Sequence, residues 1–463
     1  MLFSSLSFLY FFLPITVILY YISGSLKYKN AILLLASLLF YSWGSPGVII
    51  LLVASSLLVY LFALGIERFT EWKRQLLLLA VFLLLAALVY FKYFNFILES
   101  IAGITKRDIS IIDIVLPAGI SFYTFQLLSY LFDVNKGRIG AEKNFPRFLL
   151  YVSFFPQMLQ GPIIRYGDIQ AQLCSRSESW DEAFLGLRRF IVGLGKKVLI
   201  ADNIAIIAST IYSNPDFSGT AALWLAAVTY TLQLYFDFSG YCDMAAGLGR
   251  IFGFKLPENF NYPYAATSIT DFWRRWHITL SLWFRDYVYI PLGGNRVNKA
   301  RFVLNMLVVW GLTGLWHGAS WNFVLWGLYY GLLLLMEKLV LGSGLDKLPM
   351  LLRRAATLFF VIIGWVFFNL SDFQVLQGVL KEMFIFSPTD WLALISCDAS
   401  VCSKLLILPI AVIFAFPVAQ KIKLKTDSIF GCMLSNAAHL GILAFSIMYI
   451  ISSSFTPFIY FNF

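Results

Sequence analysis

Residues 302–336 read FVLNMLVVWGLTGLWHGASWNFVLWGLYYGLLLLM, two apolar runs joined at a Trp-His-Gly triplet. The first fifteen, 302–316, pass without one ionisable group before His317 arrives. At about 1.5 Å per residue a helix beginning at Phe302 carries His317 roughly 22 Å into a hydrocarbon layer about 30 Å thick. The stretch therefore predicts membrane-spanning helices with a histidine at depth, unless Gly311 and Gly314 kink the first.

Outward from there the same texture repeats. Hydrophobic residues make up 60% of the 463 positions and charged residues 13%, a balance foreign to soluble domains. Apolar runs recur at 5–21, 31–43, 48–66, 75–90, 115–131, 302–315, 322–336, 355–370, 405–419 and 439–452. Several are shorter than the roughly 20 residues that cross a bilayer, so tilted, broken or re-entrant elements are expected among about 10–13 helices. The fold class is an all-α polytopic membrane protein. No Lys or Arg precedes the run at 5–21 and further runs follow at once, so it reads as a retained helix, not a signal peptide.

The net charge of +10 belongs to loops and not to a nucleic-acid face. With the N-terminus outside, Lys27, Lys29, Arg68, Lys73, Arg74, Lys136, Arg138, Lys143 and Arg147 are cytoplasmic, while Lys92, Lys106 and Arg107 face outward beside Glu99, Asp108 and Asp113. That bias predicts an N-out start. Lys421, Lys423 and Lys425, placed inside, leave 371–404 as an external loop holding Cys397 and Cys402. Two readings of that pair stand, a disulfide in an oxidising compartment or two thiols.

No linker, repeat or low-complexity tail interrupts the chain, which reads as a single domain, 1–463. Its texture divides into N-terminal spans (1–133), a core rich in interrupting charges (134–337) and C-terminal spans (338–463). Polar groups at membrane depth are costly unless they line a cavity or find partners, so the middle part is where function is expected. Within it, 148–162 ends in Gln157, Gln160 and Gly161-Pro162, the composition of a re-entrant segment. Residues 267–292 (TSITDFWRRWHITLSLWFRDYVYIPL) read as one amphipathic helix at the membrane surface, capped by Thr267 or Ser268, with Asp271 in ion-pair reach of Arg274 and Arg275.

Three histidines limit acid–base chemistry near neutral pH. His439 reads as structural. A deep His317 is favoured in its neutral form, able to take a proton from a hydroxyl, or it hydrogen-bonds a neighbouring helix. His277 is open between a functional reading, orienting a substrate or a second proton transfer, and a structural one. The glycines of 247–253 are one residue too widely spaced for a dinucleotide fingerprint, Ser239 lacks a hydrolase elbow, and no His/Cys spacing predicts zinc. No serine or cysteine nucleophile is evident.

Six strings in combination resemble the membrane-bound O-acyltransferase superfamily, in its bacterial alginate and peptidoglycan O-acetyltransferase branch. They are 120–133 (ISFYTFQLLSYLFD), 151–166 (YVSFFPQMLQGPIIRY), 234–252 (LYFDFSGYCDMAAGLGRIF), 257–264 (PENFNYPY), 268–296 and 312–327 (LTGLWHGASWNFVLWG). The resemblance runs from about residue 3 to 386. It implies a helical bundle around a central tunnel, with His317 and His277 in the places of the catalytic and second histidines. Asn369 stands in WVFFN where the branch implies arginine.

The resemblance further implies acetyl-CoA as a cytoplasmic acyl donor, no bound cofactor, and a periplasmic esterase-like partner that completes acetylation of a polysaccharide, all at the bacterial inner membrane. His317 is then general base or transiently acetylated nucleophile, with His277 catalytic and Asp271, Ser281, Arg285 and Asn322 as substrate or tunnel residues. Rival readings are D-alanyl transfer to teichoic acid from a carrier protein, a transporter or flippase built on broken helices, and a passive scaffold.

Overall fold

The computed structural model describes residues 1–43, 46–107, 109–213, 219–385, 399–418, 428–452 and 458, and the regular structure among them is helical with no strand. Five described helices are long and apolar enough to cross a membrane: Val48–Arg68, Lys73–Thr105, Trp321–Leu341, Met350–Asn369 and Ile429–Ser452. Shorter apolar helices cover Phe8–Ile22 and Val401–Phe414. The expected run at 115–131 starts late, because Gly119 adopts φ +74° and helix begins only at Ile120. The 19-residue helix Lys299–His317 is long enough to span, yet its basic first turn, Asn305 and glycines keep it out of that set. Cys397 lies outside the described residues.

The chain forms two compact units. The first comprises Met1–Phe190 with Cys242–Pro257. Its centre is a phenylalanine cluster in which Phe3, Phe8, Phe12 and Phe40 surround Phe155 at ring separations of 5.3–6.5 Å, edge and tilted geometries that suit ring quadrupoles. The expected irregular segment follows the helix Phe145–Ser153: residues 154–164 are buried without helix. Their backbone finds protein partners, Phe155 N–H donating to Ser37 Oγ (3.1 Å) and Gln157 N–H to the Phe154 carbonyl (3.0 Å), as non-helical backbone away from water must. Arg176 closes the unit, stacked 4.3 Å over Phe254 and donating to the Asn30 side chain (2.7 Å) and the Phe252 carbonyl (3.0 Å).

The second unit comprises Ile191–Tyr241 with Glu258–Phe463. Gly311 and Gly314 do not kink the helix Lys299–His317, which runs unbroken. Glycine serves close approach instead. A Cβ on Gly314 would collide with the Phe323 carbonyl oxygen, and one on Gly327 with that of Trp310, so Lys299–His317 and Trp321–Met336 touch backbone to backbone, the way small residues join helices without a hydrophobic drive between them. Buried Lys197 is satisfied by Asp237 (2.6 Å) and Asp202 (2.7 Å). Trp276, Trp326, Trp365 and Tyr330 are fully buried and packed ring on ring, and Trp326 lies 4.8 Å from His317.

Candidate active site

The expected surface helix over 267–292 is broken. Ser268 is the cap, its Oγ accepting from Asp271 N–H (3.0 Å), and the helix it opens runs only Ile269–Arg275. Trp276 is extended, His277 sits at φ 45°, ψ 55°, and a second short helix spans Ile278–Phe284. The tryptophans that suggested a headgroup belt, Trp273, Trp276 and Trp283, turn inward and are 6%, 0% and 4% exposed. Packing against other aromatic rings outweighs the amphipathic pattern, because a corner lets both sides of the segment be buried. Asp271 closes its own helix, pairing with Arg275 (2.8 Å) and accepting from Thr267 N–H (3.1 Å).

His277 is wholly buried at this corner, its ring edge-on to Phe238 at 4.8 Å. Its Nδ1 lies 3.2 Å from Asn259 Oδ1, which also accepts from Thr279 N–H (3.1 Å) and Thr279 Oγ1–H (2.9 Å). Two donors identify that atom as the amide oxygen, so Nδ1 carries the proton and donates. Nε2 is then an acceptor, and it is buried with no hydrogen-bond partner.

His317 ends its helix and is 2% exposed. Its Nδ1 is 2.7 Å from the Thr313 carbonyl one turn earlier. A carbonyl only accepts, so Nδ1 holds the proton and the lone pair of the neutral ring is on Nε2. Half-buried His439 makes the same 2.7 Å bond to the Ser435 carbonyl, so the bond alone marks no active site. What sets His317 apart is its enclosure by Trp316 (5.0 Å), Trp326 (4.8 Å) and Phe368 (5.7 Å).

Trp273, 5.6 Å from Trp326, lines a cavity of about 290 Å³ whose lining residues include neither His317 nor His277. Trp273, Trp310, Phe284, Val309 and Met306 give it apolar walls, while Arg274, Arg285 and Lys338 bring positive charge and Ser281 and Thr313 hydroxyls. Two predicted residues thus meet there. Ser281 Oγ–H donates to the Trp273 carbonyl (3.3 Å), and Arg285 is paired with Asp286 (2.6 Å). Asp271 and Asn322 are not among the lining residues. Asn322 donates from Nδ2 to the Phe367 and Phe368 carbonyls (3.3 Å each), tying its helix to Met350–Asn369 and seating the Phe368 ring that faces His317. Thr313 joins the two features, as a cavity-lining residue whose carbonyl accepts from His317. Among the described residues no cluster of His, Cys, Asp or Glu is placed to hold a metal ion.

Asn259, Thr313 and Lys338 carry no site signal in the sequence, and Arg274 reads there only as a surface-helix cation within reach of Asp271. Asn259 stands inside the string 257–264, but its partner is eighteen residues away, and no local periodicity marks such a pair.

The sequence profile of the membrane-bound O-acyltransferase family, MBOAT, matches residues 139–376, a span that holds both histidines, Asn259 and every cavity residue. The chain belongs to the MBOAT family. The probable alginate O-acetylase AlgI of Pseudomonas syringae pv. tomato is 42% identical over 84% of this chain and 76% of its own length. That of Pseudomonas putida is 37% identical over the whole of both, and the peptidoglycan O-acetyltransferase of Helicobacter pylori 36% identical over 83% of this chain and 80% of its own length. As an MBOAT the protein is an acyltransferase enzyme and a multi-pass membrane protein. Transport and passive scaffolding give way to group transfer.

Proposed function

We propose that this MBOAT is an O-acetyltransferase of the bacterial inner membrane, N-terminus outside, that takes acetyl from cytoplasmic acetyl-CoA and passes it outward for acetylation of an alginate-like polysaccharide or peptidoglycan through a periplasmic esterase-like partner. The names of the relatives support the acetyl group and the polysaccharide. The observation that carries the chemistry is the bond from His317 Nδ1 to the Thr313 carbonyl, which leaves the Nε2 lone pair in a buried aromatic enclosure. As general base, Nε2 takes the proton of an acceptor hydroxyl. The hydroxyl oxygen attacks the thioester carbonyl, the C–S bond breaks, and the thiolate leaves to be protonated as free CoA. As nucleophile, Nε2 itself takes the acetyl group first and the acceptor oxygen receives it second.

The cavity fits the donor by class. Its apolar walls suit a thin acyl-thioester arm, and Arg274, Arg285 and Lys338 suit the phosphates behind it.

The test is transfer of radiolabelled acetyl from acetyl-CoA by the purified protein in vesicles, for the wild type and His317→Ala. The variant is expected to remain monodisperse and to lose on the order of a hundredfold or more in rate. Wild-type transfer by His317→Ala sinks the assignment, and a protein that ignores acetyl-CoA but accepts D-alanine from a charged carrier protein replaces acetylation with D-alanylation. A burst of free CoA before any acceptor is added selects the acetyl-histidine route.

A further inference from the structure

His277 occupies left-handed backbone, φ 45°, where a residue with a Cβ is strained. Such a conformation persists only where the surroundings hold it. Here the holder is the irregular segment 259–261 before it in sequence. Asn261 N–H donates to the Arg275 carbonyl (2.9 Å), and Ile278 N–H donates to the Asn259 carbonyl (3.0 Å), so two backbone bonds straddle the corner. Between them the Asn259 side chain, 2% exposed, gathers three donors on one oxygen: His277 Nδ1–H, Thr279 N–H and Thr279 Oγ1–H.

We propose that Asn259 is a positioning residue of the acyl-transfer reaction: its side-chain oxygen holds the proton of His277 on Nδ1 and thereby presents the His277 Nε2 lone pair as a second acceptor beside His317. Several observations bear this out. Nε2 is the one ring atom of His277 with no partner, in a site from which water-facing surface is absent. A buried acceptor left unpaired is costly, a cost tolerated where the atom has a use. The corner has a structural alternative, since glycine or asparagine takes left-handed backbone with less strain; a histidine there adds an imidazole that the turn itself does not need. Both histidines also share one arrangement, Nδ1–H tied to an oxygen and Nε2 free of its proton, reached by unrelated means, a side-chain amide in one case and a helical carbonyl in the other.

The role assigned is to receive or return a proton at Nε2 while His317 Nε2 is engaged with the acceptor hydroxyl or the acyl carbon. Asn259, Thr279, Phe238 and Trp316 around His277 are uncharged, and His317 is the titratable group that acts on it.

This inference rests on the reading that His277 takes part in transfer, and the experiment separates the two. Acetyl transfer is measured for Asn259→Ala, Asn259→Asp, His277→Ala and the double variant Asn259→Ala/His277→Ala, with kcat, KM for acetyl-CoA and the pH profile of kcat. Asn259→Asp keeps the shape and the acceptor oxygen, so it is expected to fold. Its carboxylate favours the protonated imidazole, so the acid limb of its profile moves to higher pH by about one unit or more, while KM holds. Asn259→Ala is expected to lose about tenfold or more in kcat, and nothing further in the His277→Ala background, because it acts through that ring. An Asn259→Asp profile superimposed on the wild type overturns the proposal, as does an Asn259→Ala loss that is the same with and without His277. Wild-type kcat in His277→Ala overturns it too, and there it is the reading of His277 that has failed.

Discussion

His277 and His317 share one indole: the ring of Trp316 lies 5.8 Å from the centroid of His277 and 5.0 Å from that of His317, close to perpendicular to the latter at 89°. The two imidazoles stand forty positions apart in the chain. Trp316 thus holds a distance that neither histidine controls by itself.

Replacing Trp316 by Ala is expected to cost about 3–5 kcal/mol of stability, since a 4% exposed ring leaves a cavity its neighbours fill only in part. Trp316→Phe keeps an aromatic spacer and is expected to retain most of that stability while acetyl transfer still falls. Thermal unfolding in detergent beside transfer rate checks both, and a Trp316→Phe enzyme with wild-type transfer removes the indole from the argument.

The glycines of the His317 helix make a sharper pair. A Cβ at Gly314 meets the Phe323 carbonyl, whereas one at Gly311 meets nothing within 4 Å. Gly314→Ala is expected to push the two helices apart and cost about 1–3 kcal/mol; Gly311→Ala is expected to be neutral or to stabilise by up to about 1 kcal/mol. The melting temperature of Gly314→Ala falls while that of Gly311→Ala holds or rises if the seam is as described.

The cations of the cavity predict a separation of binding from chemistry. Arg274 and Lys338 are exposed at its lining and lie apart from both imidazoles' hydrogen bonds. Arg274→Ala and Lys338→Ala are expected to raise KM for acetyl-CoA severalfold, more at low salt than at high, and to leave kcat within about twofold. A fall in kcat at unchanged KM places these residues in the reaction and takes the phosphates elsewhere.

Hydropathy made the membrane class legible, because removing apolar runs from water is an additive property of composition, and each of the five qualifying helices overlaps a run read from sequence. The uncharged stretch before His317 also held, since the helix through Gly311 and Gly314 is continuous. Residues 267–292 were misread as one surface helix. Their periodicity is amphipathic, but periodicity does not say what lies opposite each face, and here aromatic partners lie opposite both.

The sequence by itself determined an all-helical membrane protein, the family motifs and the histidine between two apolar runs, all properties of residues and their near neighbours. Tertiary structure alone decided the state of the two rings. His317 takes its tautomer from a carbonyl four residues back, yet its enclosure comes from Trp326 and Phe368 on other helices. His277 takes both its left-handed backbone and its proton position from Asn259, eighteen residues earlier. A hydrogen bond across that separation depends on where packing brings two segments together, and that placement is a sum over the whole unit that no local pattern records.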